Sequence, residues 1–146
     1  MDINDDVANG TDIKDVYAID DIIFEVDNKS LTNRPDLWGH YGIAREFAAL
    51  AHRELKPLEV DDLKAYNNLP KIDMKIEDPL CQRYSCLQVE NINRNISPVN
   101  MRIRLFYCGM RGINFLADLT NYLMLEMGQP MHAFDCNYLE GNEINV

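Results

Sequence analysis

A hydroxyl, a carboxamide and an imidazole lie close together in the C-terminal third of the sequence, at Thr120, Asn121 and His132. Thr120 and Asn121 fall in an apolar helical pattern, whereas His132 follows Gly128 and Pro130. Because Pro130 fixes the backbone after the helix, we expect a stiff turn that brings His132 back beside the helix. The three side chains would then bind a water and orient it against an ester, since imidazole accepts protons near neutral pH.

The same residues also fit a purely structural role. A histidine between Met131 and Ala133 is more often a core residue bonded to a backbone carbonyl, and Asn121 fits an ordinary helix surface. No Ser or Cys occupies a nucleophile elbow, and Cys136 has no supporting pattern although it follows His132 closely. The residues alone leave both interpretations open.

The composition is that of an acidic globular chain. Its 146 residues fit about one domain of ~100 to 200 residues. With 24 acidic and 14 basic residues, the net charge of -10 argues against a broad grip on the nucleic-acid backbone, although a local contact stays open. The N-terminus is acidic, and no run of about 18 apolar residues occurs, so we expect a cytoplasmic protein without membrane association.

The cysteines show no pattern typical of a metal site or of a disulfide framework. They form no CxxC pair and have no regular spacing. We therefore predict reduced, mostly buried thiols and no bound metal. The cysteines are Cys81, Cys86, Cys108 and Cys136.

Hydrophobic periodicity predicts an α+β fold, with helices packed on one side of an antiparallel or mixed sheet. Alternating apolar residues predict strands at residues 22–26, 71–78 and 83–92, and a further strand begins within residues 141–146. The Pro-flanked stretch between the first helix and the second strand predicts a linker at 61–70. We thus divide the chain into a flexible acidic lead-in at 1–12, a strand and helix at 13–60, the linker, and a second region at 71–146.

A first helix is predicted after "TNRP", with Asn33 or Asp36 as its N-cap, Pro35 in its first turn and Pro57 beyond its end. Its apolar face would comprise Leu37, Tyr41, Ala44, Ala48, Ala51 and Leu55.

Two more helices are predicted further along the chain. One follows the start signal of Ser97 and Pro98 and ends at Gly109. The other begins at an Asn114 cap and ends near Met127, before a left-handed Gly128. Their inward residues would be Val99, Ile103 and Phe106 in the former, and Leu116, Leu119, Leu123 and Met127 in the latter.

Two blocks of the sequence, "LTNRPDLWGHYGIAREFAAL" and "GINFLADLTNYLMLEMGQPMHAFD", resemble the β subunit of bacterial phenylalanyl-tRNA synthetase. The intervening "DPLCQRYSCLQVENI" and "SPVNMRIRLFYCGM" also fit the family in order and spacing. The resemblance implies that 13–60 is the end of an N-terminal module and that 71–146 is the first half of an editing domain. We expect such an excerpt to be inactive alone.

In that family the α subunit makes the aminoacyl-adenylate with ATP and Mg²⁺, and the β subunit hydrolyses tyrosine wrongly attached to phenylalanine tRNA. The resemblance implies that His132 positions or polarises the attacking water, and that Thr120 and Asn121 bind the amino-acid ester or the terminal ribose. It implies no cofactor within this segment. It also implies a hetero-oligomer whose partners are the α subunit and phenylalanine tRNA.

Two other interpretations stay open: a non-catalytic segment that supports the α subunit and the tRNA, and a freestanding hydrolase of mischarged tRNA. For Arg34, Arg45 and Arg53 we favour a paired or solvated role over a tRNA contact. The densest basic cluster is a better candidate for nucleic-acid contact, although a charged helix face is its usual explanation. This cluster comprises Arg102, Arg104 and Arg111.

Overall fold

The computed structural model describes residues 6–146, apart from the side chain of Asn142. Within these residues the fold is α+β, and no helix is long and apolar enough to cross a membrane. The α-helices are α1 Ile13–Val16, α2 His40–Leu50, α3 Val99–Tyr107 and α4 Phe115–Met127, and the strands are β1 Asp73–Lys75 and β2 Glu143–Asn145. Short 3₁₀ turns lie at Lys29–Leu31, Pro35–Trp38, Leu63–Tyr66, Cys136–Tyr138 and Glu140–Asn142.

The described residues form two compact units, each built from two stretches of chain. The first joins the chain up to Leu55 with Arg94–Ala133 and contains the four helices. The second joins Lys56–Asn93 with Phe134–Val146 and contains both strands. The linear division at 12, 60 and 70 stays a prediction, and residues 1–5 of the expected lead-in lie outside the described part of the chain.

The second unit contains a short parallel sheet. β1 pairs with β2 in the register Asp73 to Glu143, Met74 to Ile144 and Lys75 to Asn145. The backbone N–H of Val146 donates to the carbonyl of Lys75 across 2.9 Å and extends this ladder. The predictions of strands within 71–78 and 141–146 are confirmed. These two strands pair in parallel, so the antiparallel detail of the predicted antiparallel or mixed sheet is not confirmed. Parallel pairing is open to them because a long connection separates them in sequence.

The other two predicted strands, at 22–26 and 83–92, are irregular segments. Their apolar side chains are largely exposed: 87% for Ile22, 73% for Phe24, 77% for Leu87 and 60% for Val89. Alternation of apolar residues describes a surface that could be half buried, but a strand also needs a neighbouring strand for its backbone hydrogen bonds. The predictions were wrong because the sequence pattern does not reveal whether that neighbour is present.

The predicted first helix is split in two. Pro35 opens a 3₁₀ turn, as its fixed φ favours, and α2 then starts afresh at His40 and ends at Leu50, short of the predicted Leu55. Neither part has a side-chain N-cap, so the cap predicted at Asn33 or Asp36 is wrong. Of the predicted apolar face, Leu37 and Ala48 are buried while Ala44 is exposed.

α2 and α4 approach each other through glycine backbones. A Cβ on Gly39 would lie 2.2 Å from the backbone N of Gly128, and a Cβ on Gly128 would lie 3.1 Å from the carbonyl oxygen of Pro35. Gly128 has φ +73 and ends α4 in the left-handed conformation that its position in the sequence predicted. The absence of a Cβ at Gly39 permits this approach, and the positive φ of Gly128 is one that residues with a Cβ rarely adopt.

α4 begins and ends as predicted, with the side chain of Asn114 accepting the N–H of Ala117 at 3.0 Å. Its burial differs from the predicted leucine stripe. Leu119 and Leu123 are half-buried, whereas Leu116 and Met127 are exposed. The most buried residue of the helix is instead an acid, Asp118, which is 1% exposed.

Asp118 ties three segments of the first unit together. Its Oδ2 accepts the hydroxyl of Ser97 at 2.5 Å, and its Oδ1 accepts the backbone N–H of Ile113 at 2.7 Å. The Ser97 hydroxyl therefore does not cap α3, which begins without a side-chain cap. On α3 the buried residue is Leu105, fully enclosed, rather than the predicted Phe106, which is 73% exposed.

We predict that Asp118→Ala lowers the free energy of unfolding by about 3 kcal/mol, because a buried hydroxyl and a partly buried N–H lose their acceptor. Urea unfolding of the chain measures the change. The matched control is Asp135→Ala, which removes an exposed carboxylate bonded at a surface turn and should cost about 1 kcal/mol or less. Equal losses in the two variants would contradict the proposed role of Asp118.

We also predict that Gly39→Ala destabilises the first unit by about 3 kcal/mol, because its methyl group overlaps the backbone of α4. Gly112→Ala is the control, since a Cβ there would be 3.4 Å from its nearest neighbours. Thermal unfolding followed by circular dichroism compares the two. A Gly39→Ala melting temperature no lower than that of Gly112→Ala would show that α2 and α4 separate freely.

Candidate functional site

Thr120 and Asn121 lie in the middle of α4, where both are half-buried. The hydroxyl of Thr120 donates to the carbonyl of Ala117 at 2.9 Å, one turn earlier in the helix. This bond uses the hydroxyl hydrogen, so the oxygen lone pairs of Thr120 stay available to a donor on a ligand. The adjacent carboxamide of Asn121 offers both donors and an acceptor.

His132 lies in an irregular segment after the end of α4, and its side chain is exposed. The neighbouring Met131 is 45% exposed as well. The alternative interpretation, in which His132 is a buried core residue, is therefore wrong. An exposed imidazole is accessible to water and to a substrate, as general base catalysis requires. The convergence of His132 with Thr120 and Asn121 stays a prediction.

The α2 helix fixes the end of α4 through His40. Its Nδ1 lies 2.8 Å from the carbonyl oxygen of Leu125. A carbonyl oxygen can only accept, so Nδ1 carries the hydrogen and satisfies one of the carbonyls that the last turn of α4 leaves open. Sequence reasoning missed this residue, because nothing in the local pattern connects position 40 to position 125.

The Asn-Arg-Pro-Asp stretch has an architectural role. Arg34 donates from Nε and Nη2 to the two oxygens of Asp36, each at 2.9 Å, and from Nη2 to Glu46 at 3.1 Å. Arg45 donates to the same Asp36 at 2.6 Å. Of the paired or solvated roles predicted for these arginines, Arg34 and Arg45 have the paired one, each with a carboxylate, and the network joins the 3₁₀ turn to α2. Arg53 is exposed, which fits the solvated alternative.

This network shifts the pKa values of Asp36 and Arg34. The hydrogen bonds from Arg34, followed by those from Arg45, hold the pKa of Asp36 well below its usual range, although partial desolvation opposes the shift. The bonds to Asp36 and Glu46 raise the pKa of Arg34 further. Asp36 therefore stays ionised and accepts hydrogen bonds from both arginines.

We predict that the stabilisation from Asp36 is lost in acid. Its pKa is lower in the folded than in the unfolded chain, so the contribution is present above about pH 4 and falls as pH decreases toward the folded pKa. At neutral pH, Asp36→Asn should have a lower melting temperature than the unmodified chain. This difference in melting temperature, the gap, should become smaller as the pH is lowered. Asp20→Asn, at an exposed and longer ion pair, is the control and should show little gap at any pH. A gap for Asp36→Asn that is constant with pH would contradict the network.

The basic cluster is partly accessible. Arg104 and Arg111 are exposed and Arg102 is half-buried, and the contact of this cluster with nucleic acid stays a prediction.

The four cysteines are free thiols, but the prediction that most are buried is wrong. Cys81 is half-buried and the other three are exposed. The exposed three therefore do not serve as apolar packing residues in a core.

Comparison with known proteins links the chain to one family. Residues 80–146 match the model of the B3/4 domain. The chain is 46% identical over 127 residues to the phenylalanine–tRNA ligase beta subunit of Solibacter usitatus, an alignment that covers 86% of the chain and 16% of that protein. It is 43% identical over 149 aligned positions to the same subunit of Francisella tularensis, covering 100% of the chain and 18% of that protein. The chain thus spans less than a fifth of these relatives.

Proposed function

Because this chain belongs to the family of phenylalanine–tRNA ligase β subunits, we propose that it contributes to hydrolytic editing of tyrosine mischarged on phenylalanine tRNA. The observation that carries the proposal is the exposed imidazole of His132, which lies within the stretch that matches the B3/4 domain and follows the helix bearing Thr120 and Asn121. An ester hydrolysis needs an accessible base beside polar groups that hold the substrate.

Selectivity explains why such a site is needed. Phenylalanine and tyrosine differ by one hydroxyl, and a hydrophobic pocket rejects an analogue that adds a hydroxyl by only ~10²-fold. A second site that hydrolyses the wrong product therefore raises accuracy without altering the synthetic site. The proposal assigns that second site to the β subunit, and aminoacyl-adenylate synthesis with ATP and Mg²⁺ to the α subunit.

The proposed reaction uses water as the nucleophile. The imidazole of His132 removes a proton from the water while its oxygen attacks the ester carbonyl carbon. The bond from that carbon to the ribose oxygen then breaks, and the ribose oxygen takes the proton back from the imidazolium. Thr120 and Asn121 hold the amino-acid ester or the terminal ribose in place. No cofactor from this segment enters the scheme.

The segment acts within a larger assembly in the proposed function. We place the segment in a hetero-oligomer with the α subunit and phenylalanine tRNA in the cytoplasm, because its relatives are β subunits of a tRNA ligase. The second candidate is a non-catalytic segment that supports the α subunit and the tRNA. The architectural network of Arg34, Asp36 and Arg45 favours that role for residues 34–46. Both roles fit within one subunit: the supporting role belongs to the region around α2, and the editing role to the region after α4.

We predict that His132→Ala, placed in the complete β subunit, leaves phenylalanine attachment unchanged but slows hydrolysis of tyrosyl-tRNA by about 10²-fold, the usual size of a general base contribution. Mischarged tyrosyl-tRNA then accumulates. Deacylation of preformed tyrosyl-tRNA measures the first effect, and the attached amino acid measures the second.

His52→Asn is the matched control, because His52 is an exposed histidine at φ +52, a conformation that Asn tolerates well. It should hydrolyse tyrosyl-tRNA at the normal rate. Unchanged hydrolysis by His132→Ala would remove His132 from the mechanism and leave the supporting role.

A further inference from the structure

A thiol lies against the imidazole that fixes the end of α4. The Sγ of Cys108 is 3.8 Å from Nε2 of His40, within hydrogen-bonding range for sulfur. The other ring nitrogen, Nδ1, donates to the carbonyl of Leu125 at 2.8 Å. In the neutral ring this leaves the lone pair on Nε2, facing the thiol. A nucleophile, a base and a group that orients the base are therefore arranged in sequence.

The pair is accessible from one side. Cys108 is exposed at the end of α3, and both residues line a groove of about 760 Å³ in the first unit. Apolar side chains such as Phe24 and Trp38 form part of its wall. A small disulfide can thus reach Sγ from the open side of this groove.

We propose that Cys108 is a base-assisted thiol that undergoes thiol–disulfide exchange with small disulfides. Its proton passes to Nε2 of His40, and the thiolate attacks one sulfur of the disulfide. A new S–S bond to Cys108 forms while the original S–S bond breaks. The departing thiolate then takes the proton from the imidazolium, so electrons and protons balance. This modification site is independent of the proposed editing reaction.

The sequence contains internal controls for this reactivity. Cys86 and Cys136 are exposed cysteines as well. Among residues 6–146, however, neither has an imidazole within hydrogen-bonding range. Exposure alone therefore predicts equal rates for the three thiols, whereas assistance by His40 predicts that Cys108 reacts first.

The test is a time course with oxidised glutathione on the full chain, with the mixed disulfide at each cysteine quantified by peptide mass spectrometry. We expect Cys108 to react about fivefold faster than Cys86 and Cys136. The informative variant is His40→Asn, whose side-chain amide can still donate to Leu125 but has no basic nitrogen. It should reduce the rate of Cys108 to that of the other two.

Folding is checked in the same samples by the melting temperature and by the unchanged rates of Cys86 and Cys136. His52→Asn should leave the advantage of Cys108 intact. Equal rates at the three cysteines in the unmodified chain, or an undiminished advantage in folded His40→Asn, would overturn the proposal.

Discussion

The close backbone contact between Gly39 and Gly128 is the constraint on which the first unit depends. It brings the start of α2 against the end of α4 at a distance that a single Cβ would prevent. The bond from His40 to Leu125 forms beside it and closes an open carbonyl of α4. Since Gly39 belongs to the Asn-Arg-Pro-Asp block and Gly128 to the block that carries His132, this contact brings the two blocks together in the fold.

A second constraint acts at the opposite end of α4. The buried carboxylate of Asp118 holds the segments before α3 and before α4 through Ser97 and Ile113. Thr120 and Asn121 follow within the next turn, so their positions are fixed by a satisfied buried acid rather than by apolar packing alone. α4 is thus fixed at both ends, which limits the movement of any site built on it.

Local signals in the sequence were sufficient where the structure is itself local. The Asn114 cap, the extent of α4 and the left-handed Gly128 were all predicted, because each depends on residues within a turn of one another. The ion pair of Arg34 with Asp36, two positions away, fits one of the two roles predicted for that arginine. The missing cap at Asp36 follows from that pairing, since one carboxylate serves two arginines instead of a helix end.

Predictions failed where a distant partner decides the outcome. Residues 22–26 alternate like a strand but lack strand structure, and the burial of Asp118 depends on a serine 21 positions earlier. The contact between His40 and Cys108 joins residues 68 positions apart. For the candidate site, the sequence identified the residue types and the resemblance assigned their roles, while the exposure of His132 came only from the fold.

The proposed function requires that Thr120, Asn121 and His132 contact one ligand together. The most direct measurement is a crystal structure of the complete β subunit with an adenosine whose 3′ position bears tyrosine through a stable amide instead of the ester. The account predicts that the amide carbonyl lies within one bridging water of the His132 imidazole, with Thr120 and Asn121 against the ribose or the amino acid. Binding of this analogue at a site distant from all three side chains would contradict it.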